Sequence, residues 1–280
     1  KQKRRWHDHM SIRFESHINV KNLDWSYGAQ VVLTDVSVNI EKGKFYTILG
    51  PNGSGKTTLA KIITKTMDTP KNKVFLLSED ITKMTNKQTA RKIATVPQNT
   101  IIDFDFSVMD IVLMGRAPYL RRFQSESSLD FELAKDAMLK TNTWHLRDKK
   151  IDQISGGERQ RVIIARAITQ DTEVLILDEP ISNIDIHHQI QLLEVLKKLN
   201  KEKNTTIITI LHDLNLAVQY SDEIFLLSDG KLITHGNPQD VLTKEIIDEV
   251  YNIEVDMVVH PSTGKPYIIP VFNELQKTGS

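Results

Sequence analysis

Residues Gly50 to Thr57 read GPNGSGKT and fit the spacing G-x-x-x-x-G-K-[ST]. Glycines at Gly50, Gly53 and Gly55 let a backbone curl until its N–H groups point inward, as a bound phosphate requires. A lysine at the end of such a loop supplies a point charge for the outer phosphates, and the hydroxyl of Thr57 is a ligand for Mg²⁺. The candidate nucleotide-binding stretch is therefore Gly50, Pro51, Asn52, Gly53, Ser54, Gly55, Lys56, Thr57 and Thr58. A second chemical group lies far along the chain. The apolar run Val174-Leu175-Ile176-Leu177 ends in Asp178-Glu179, as a buried parallel strand delivering acids to the ligand edge of a sheet would. Asp178 is assigned to Mg²⁺, through water, and Glu179 to polarising the attacking water.

A third group is Ser155-Gly156-Gly157-Glu158. Ser155 with Glu158 three residues on is a capping box, which explains the serine and the glutamate. It does not explain two consecutive glycines in a first helical turn, where glycine costs helix propensity. Glycines at a helix start instead suit close approach to an anion.

The elements that must hold these groups alternate. Val20 to Ile40 reads as extended, with Val36, Val38 and Ile40 on one face. Phe45 to Leu49 is a short buried strand, and a helix follows from Lys56 to about Thr66. Further strands are expected at Val74 to Leu77, Glu173 to Asp178, Thr205 to Leu211 and Glu223 to Leu227. Helices are expected near Asn86–Ile93, Val108–Gly115, Ser128–Lys140, Gly156–Gln170, Ile186–Leu199 and Leu214–Tyr220. The Ser128–Lys140 helix is expected to place Leu129, Leu133, Ala137 and Leu139 on or near one face. Strand and helix in turn indicate a mostly parallel α/β sheet, and the helical stretch from about Asn99 to Asp171 reads as an insertion into it.

Composition bounds the answer without choosing it. The chain has 280 residues, 36 Lys+Arg against 36 Asp+Glu, and no cysteine. Zero net charge argues against a strong global attraction to nucleic acid. The lack of cysteine excludes a disulfide scaffold, a cysteine zinc site and a thiol nucleophile, and fits a reducing compartment. No apolar run approaches the ~18–20 residues of a membrane span. A soluble, intracellular unit is the expectation. Residues 1–9 read as a tag or disordered arm with Met10 the natural start, and residues 276–280 as a tail.

Taken together, these motifs resemble those of the ABC-transporter ATPase family, whose signature loop is Leu-Ser-Gly-Gly-Gln; here Ile154 and Glu158 replace the first and last residues. The resemblance runs from about Ile18 to Leu242 and implies roles at further positions. Tyr27 matches the aromatic that stacks on adenine, and Gln98 the glutamine that contacts metal and attacking water. Asp185, in Ser182-Asn183-Ile184-Asp185, matches the key acid of the loop between two sites, with Ile181 and Ile184 departing from the usual Thr and Leu. His212 matches the histidine that hydrogen-bonds the γ-phosphate. The implied fold is a P-loop NTPase (RecA-like) core with an antiparallel β subdomain and an inserted helical subdomain. The expected organisation is one ABC ATPase domain over 10–275. Within it 10–98 and 172–275 form the nucleotide-binding core with a C-terminal extension, and 99–171 the helical signature subdomain.

The implied activity is ATP hydrolysis with ATP and Mg²⁺, in a homodimer whose Ser155, Gly156, Gly157 and Glu158 reach the other subunit's nucleotide. Implied partners are two transmembrane permease subunits and, indirectly, a solute-binding protein, with no nucleic acid. The implied place is peripheral, on the cytoplasmic face of the inner membrane. The stretch Met114-Gly115-Arg116-Ala117-Pro118-Tyr119-Leu120 and the tail Val259 to Pro266 resemble the ATPases of iron-siderophore, haem and cobalamin importers, iron-siderophore uptake being the first choice. A soluble ABC ATPase of iron–sulfur cluster assembly, with no permease, is the alternative. A chromosome-structuring ATPase would need a long coiled coil between Lys56 and Ser155, and that stretch lacks sustained heptads.

Overall fold

The computed structural model describes residues 16–98, 105–182 and 184–271. The expected arm at 1–9, Met10, the 276–280 tail, Asn99 and Asn183 lie outside the described residues. Strands β1 (Ser16–Tyr27) and β2 (Gln30–Glu41) precede β3 (Phe45–Leu49) and helix α1 (Lys56–Ile63). Then come β4 (Val74–Leu76), β5 (Glu79–Asp80), α2 (Asn86–Ala90) and β6 (Ile93–Val96). The helices α3 (Val108–Leu113), α4 (Ser128–Lys140) and α5 (Gly156–Thr169) separate β6 from β7 (Val174–Asp178). After β7 follow α6 (Ile186–Lys203), β8 (Thr206–Ile210), α7 (Leu214–Tyr220), β9 (Glu223–Ser228) and β10 (Lys231–Gly236). The chain continues through α8 (Pro238–Val241), α9 (Lys244–Tyr251), β11 (Val255–Val259) and β12 (Pro266–Pro270).

Six strands form the central sheet in the order β10-β9-β3-β8-β7-β6. All neighbours in it are parallel except β9 and β10. Strands β3, β7 and β8 are buried along their whole length, which is why they read as unbroken apolar runs rather than alternations. One apolar cluster on this sheet gathers α3 to α7 and the C-terminal helices around residues such as Leu175, Ile164 and Leu193. The other gathers α1 with the antiparallel sheet β2-β1-β4-β5, around Ile48, Ile62 and Leu33. Buried His17 ties that second sheet to the first: its Nδ1 lies 2.8 Å from the Thr206 hydroxyl.

Several elements differ from the sequence reading. The stretch Val20 to Ile40 is two strands, because Gly28, at φ +58°, turns the chain between them. Helix α2 stops at Ala90, and Ile93 instead begins the edge strand β6, pairing with Val174. Four β-branched or small residues in a row, three of them buried, suit a buried edge strand better than a second helical turn. On α4 the buried stripe is Asp130, Ala134, Ala137 and Met138, while Leu129 and Leu139 are exposed. The stripe follows i, i+4, i+7, i+8, a spacing the leucines do not keep. The elements after β9, namely β10, α8, α9, β11 and β12, have no counterpart in the sequence reading.

Two consequences are measurable. Leu193→Ala, in the core, should cost about 2–5 kcal/mol in urea unfolding, and Leu139→Ala less than about 0.5 kcal/mol; equal losses would contradict the observed α4 face. Burial, aided by Lys42 and Lys92 and opposed by Glu173, holds the His17 pKa below its ordinary 6.5. The unfolded chain therefore takes up a proton that the folded chain refuses, so stability is full above about 6.5 and falls as pH drops from there towards the folded value. His17→Gln should flatten that slope between pH 7 and 5, and an unchanged slope would remove His17 as its source.

Candidate functional site

The geometry follows from strand register. Val96 pairs with Leu177, Asp178 with Ile210, and Ile48 with Ile210. The C-terminal ends of β6, β7, β8 and β3 are thus level, and the residues just beyond them share one edge of the sheet. Those residues are Gln98 after β6, Asp178 and Glu179 at β7, His212 after β8, and Gly50 to Gly55 after β3.

The loop from Gly50 to Gly55 is held by close backbone approach. A Cβ on Gly50 would sit 2.0 Å from the Leu227 carbonyl oxygen on β9, and one on Gly55 would sit 2.5 Å from Leu33 Cδ2 on β2. Gly55 is also the N-cap of α1, at φ +96°, with no side-chain cap and no acid in the first turn. Seven other helices do have a capping side chain: Thr85, Ser107, Ser127, Ser155, Asp185, Asp213 and Thr243. The N–H groups and positive dipole end of α1 are therefore left for an external anion. Inside the curl, Lys56 Nζ donates to Gly50 O at 2.9 Å and Pro51 O at 2.8 Å. Its burial lowers the amine's pKa, with Glu179 and Asp178 opposing. The Ser54 hydroxyl is buried without a partner among the described residues.

A cavity of about 390 Å³ opens on this loop, lined by Asn52, Gly53 and Gly55 to Thr58 on one side. Tyr27, Gln30 and Val32 close one end, Gln98 and Glu179 the other. Tyr27 is half exposed; its ring meets Trp25 edge-on, and its hydroxyl rests on Met67 Sδ. The Thr57 hydroxyl donates to Asp178 Oδ1 at 3.2 Å. Burial pushes the Asp178 carboxyl above the usual range, with the Thr57 bond opposing. A cation between hydroxyl and carboxylate would relieve that burial, so the donor set fits a hard, oxygen-liganded Mg²⁺. Glu179 takes φ +50°, a turn just past the strand end, which aims its carboxylate at His212: Nε2 to Oε1 is 2.6 Å. A charged cradle, a cation-ready pair and a carboxylate oriented by an imidazole form an arrangement able to bind a nucleoside triphosphate and activate water.

Not every expected residue reaches this cavity. Ser155, Gly156, Gly157 and Glu158 do not line it, although α5 leads from them directly towards β7. The Ser155 hydroxyl instead donates to Glu158 Oε2 at 2.8 Å and accepts from the Glu158 N–H. Neither glycine has positive φ, and a Cβ on either would meet nothing within 4 Å. Asp185 caps α6 and holds the His188 ring at 2.5 Å, which lowers its carboxyl's pKa. Sequence reasoning missed Gln30 and Val32, whose place depends on the β1–β2 hairpin register. It also missed Tyr251 on α9. Burial raises that phenol to about 12 against an opposing backbone hydrogen bond at Gly50, and no motif signals such a C-terminal contact with the loop.

This fold and cavity define a P-loop ATPase, in which β3 and α1 bracket a phosphate cradle and β7 supplies the acids. Comparison with known proteins narrows the class: the model of the family described as ABC transporter matches residues 33–182, more than half the chain. The chain belongs to that family. It is 37% identical over 251 residues to the ferric enterobactin transport ATP-binding protein FepC of Escherichia coli, covering 90% of this chain and 93% of that one. It is 36% identical over 249 residues to the iron(3+)-hydroxamate import ATP-binding protein FhuC of Bacillus subtilis, covering 89% and 93%. A chain of a solved inward-facing ABC transporter proposed to be of the metal-chelate type superposes with TM-score 0.79 at 27% identity, over 92% of this chain and 98% of that one. The dimeric ATP-binding cassette MJ0796 bound to ADP and phosphate gives 0.69 at 25% identity, over 79% and 98%. The chain is thus an ATP-binding cassette that hydrolyses ATP in the service of transport.

The open space at Gly156 and Gly157 makes a stability prediction. Gly157→Ala should leave urea stability unchanged or raise it by up to about 1 kcal/mol, since alanine is the better helix former. A loss would show instead that the glycine serves packing within its own chain.

Proposed function

We propose that the chain is the ATP-hydrolysing subunit of an importer that takes up a metal chelate, an iron-siderophore first and haem or cobalamin next. What carries this reading is similarity over about nine-tenths of both chains to import ATPases for ferric enterobactin and ferric hydroxamate. A haemin import relative from Thermobifida fusca, 35% identical, supports the same group. Among the described residues no helix is long and apolar enough to cross a membrane, so the reading requires separate permease subunits, two of them, and a solute-binding protein delivering to them. The chain would sit peripherally on the cytoplasmic face of the cell membrane.

In the proposed mechanism the N-terminus of α1 and Lys56 take the phosphates of ATP, and Tyr27 stacks on the base. Mg²⁺ held by Thr57, Asp178 and Gln98 would supply charge neutralisation at the phosphates. Glu179 polarises the attacking water. His212, already hydrogen-bonded to Glu179, orients that carboxylate and reaches the γ-phosphate. Ser155, Gly156, Gly157 and Glu158 of a second copy complete the site from outside, and Asp185 lies between the two sites. The unfilled space around both glycines supports this, because a backbone without Cβ there leaves room for an incoming anion. Solved cassettes of this fold also occur as dimers.

Glu179→Gln should keep ATP binding, lose about 10²–10⁴-fold in turnover and elute as an ATP-dependent dimer. Full turnover would refute the base assignment, and Lys56→Ala with unchanged ATP affinity would refute the cradle. Affinity capture of the Glu179→Gln protein from native membranes should recover a polytopic permease; soluble partners alone would sink the importer reading.

A further inference from the structure

The Gly115 to Leu120 stretch does not line the nucleotide cavity, yet it is bonded to several elements where the helices meet the sheet. Arg116 is buried there among four partners. Its Nε donates to Asp130 Oδ1 at 2.8 Å, and its Nη1 to the carbonyls of Thr169 and Gln170 at 3.1 and 3.2 Å. The Tyr119 ring lies 4.0 Å from the guanidinium. Thr169 and Gln170 end α5, and Asp130 sits in the first turn of α4. One cation therefore satisfies orphan carbonyls at one helix end and meets an anion at the start of another, each at the favourable dipole end. Gly115 packs so closely that a Cβ would stand 2.2 Å from the Arg166 carbonyl oxygen. From the core, Arg91 Nε donates to Pro118 O at 2.8 Å, and the Tyr119 hydroxyl reaches the carbonyls of Arg91 and Asp171 at 3.4 Å. The knot thus joins α4, the end of α5 and the end of α2 at the point where the chain enters β7.

Helix α5 begins just after its cap, Ser155, and ends at this knot. Its 14 residues make a lever of about 21 Å. A tilt of about 5° at the base displaces the far end by roughly 2 Å, and an error of about 1 Å in a reacting geometry can cost about 10²-fold. We infer that Arg116 is a positioning residue for ATP hydrolysis, fixing the base of α5 and through it the place of Ser155 at a partner subunit's nucleotide. This rests on the closed dimer proposed above. A lysine cannot replace the fork, because a single ammonium does not span a carboxylate and two carbonyls in fixed planar directions.

The test uses the full chain and compares wild type, Arg116→Lys, the double variant Arg116→Met with Asp130→Asn, and Ser155→Ala as reference. ADP affinity reads the chain's own cradle, kcat reads the completed site, and melting temperature reads the fold. Removing both charges avoids a lone buried ion, but the Thr169 and Gln170 carbonyls lose their donor, so the double variant should stay folded and melt a few degrees below wild type. Expected are ADP affinities within twofold of wild type for Arg116→Lys and the double variant, with kcat reduced at least tenfold in both. Recovery of kcat along with melting temperature in the double variant would reduce Arg116 to a stabilising role and overturn the inference. A loss of ADP affinity parallel to the loss of kcat would overturn it too, placing the effect in the cradle. Should the double variant not fold, Arg116→Lys decides by the same two readouts. Ser155→Ala at full rate would bring down the closed dimer and this inference together; a slow Ser155→Ala beside a fast Arg116→Lys would bring down the inference alone.

Discussion

The parallel register of β3, β8, β7 and β6 is the constraint on which the site depends. Because Asp178 and Ile48 both stand level with Ile210, residues separated by more than a hundred positions emerge at one edge. A slip of one residue in β7 would turn Asp178 to the other face of the sheet and leave Thr57 without its acceptor. The register is in turn enforced by burial on both faces, since β3, β7 and β8 have no exposed residue to tolerate a shift. Core packing and site geometry are therefore one requirement rather than two.

Helix capping shows the same economy from the other side. The chain places serine, threonine or aspartate before most of its helices and glycine before α1. That exchange leaves α1 without a side-chain cap, beside a buried lysine folded back on loop carbonyls and a Ser54 hydroxyl buried without a partner among the described residues. Each is a cost in the chain alone that a bound triphosphate offsets. The raised pKa of Asp178 is a cost of the same kind, since burial disfavours its charged form, and it is one that the Mg²⁺ of the proposed mechanism would offset.

Much of this was readable in sequence because the signals are local. The phosphate loop, the acids after β7 and the Ser155 cap each lie within a few residues of chain, and their flanking strand or helix has an unmistakable period. Even α4 and α7 have the bounds that their patterns indicate. What escaped depends on partners distant in sequence. Ile93 to Val96 is a strand only because β7 lies beside it, and the buried face of α4 is set by Arg116 drawing Asp130 inward against the hydrophobic reading. Val32 and Tyr251 reach the loop through a hairpin register and a C-terminal helix that no motif encodes. The Gly-Arg-x-Pro stretch was visible as a resemblance, but its bonding to the end of α5 was not.

An incomplete site in one chain has a physical logic. A triphosphate brings several negative charges, and one lysine with one helix terminus, worth about half a unit charge, leaves much of that charge uncompensated. In the closed pair proposed above, donors from a second chain would complete it only when the γ-phosphate is present to bridge the gap, so closure would report the state of the nucleotide. Ser155 is held in place at the helix start, since Glu158 accepts from both its hydroxyl and its backbone N–H. In that pair the Ser155–Glu158 bond would set a barrier, because the Ser155 hydroxyl would have to exchange Glu158 for phosphate, while the Glu158 carboxylate, its pKa lowered first by the Ser155 N–H, would stay charged nearby. Docking would then favour only an anion strong enough to win that exchange, and loss of the γ-phosphate would return Ser155 to Glu158. A capping box that stabilises α5 in the single chain would thereby act as the spring that reopens the pair.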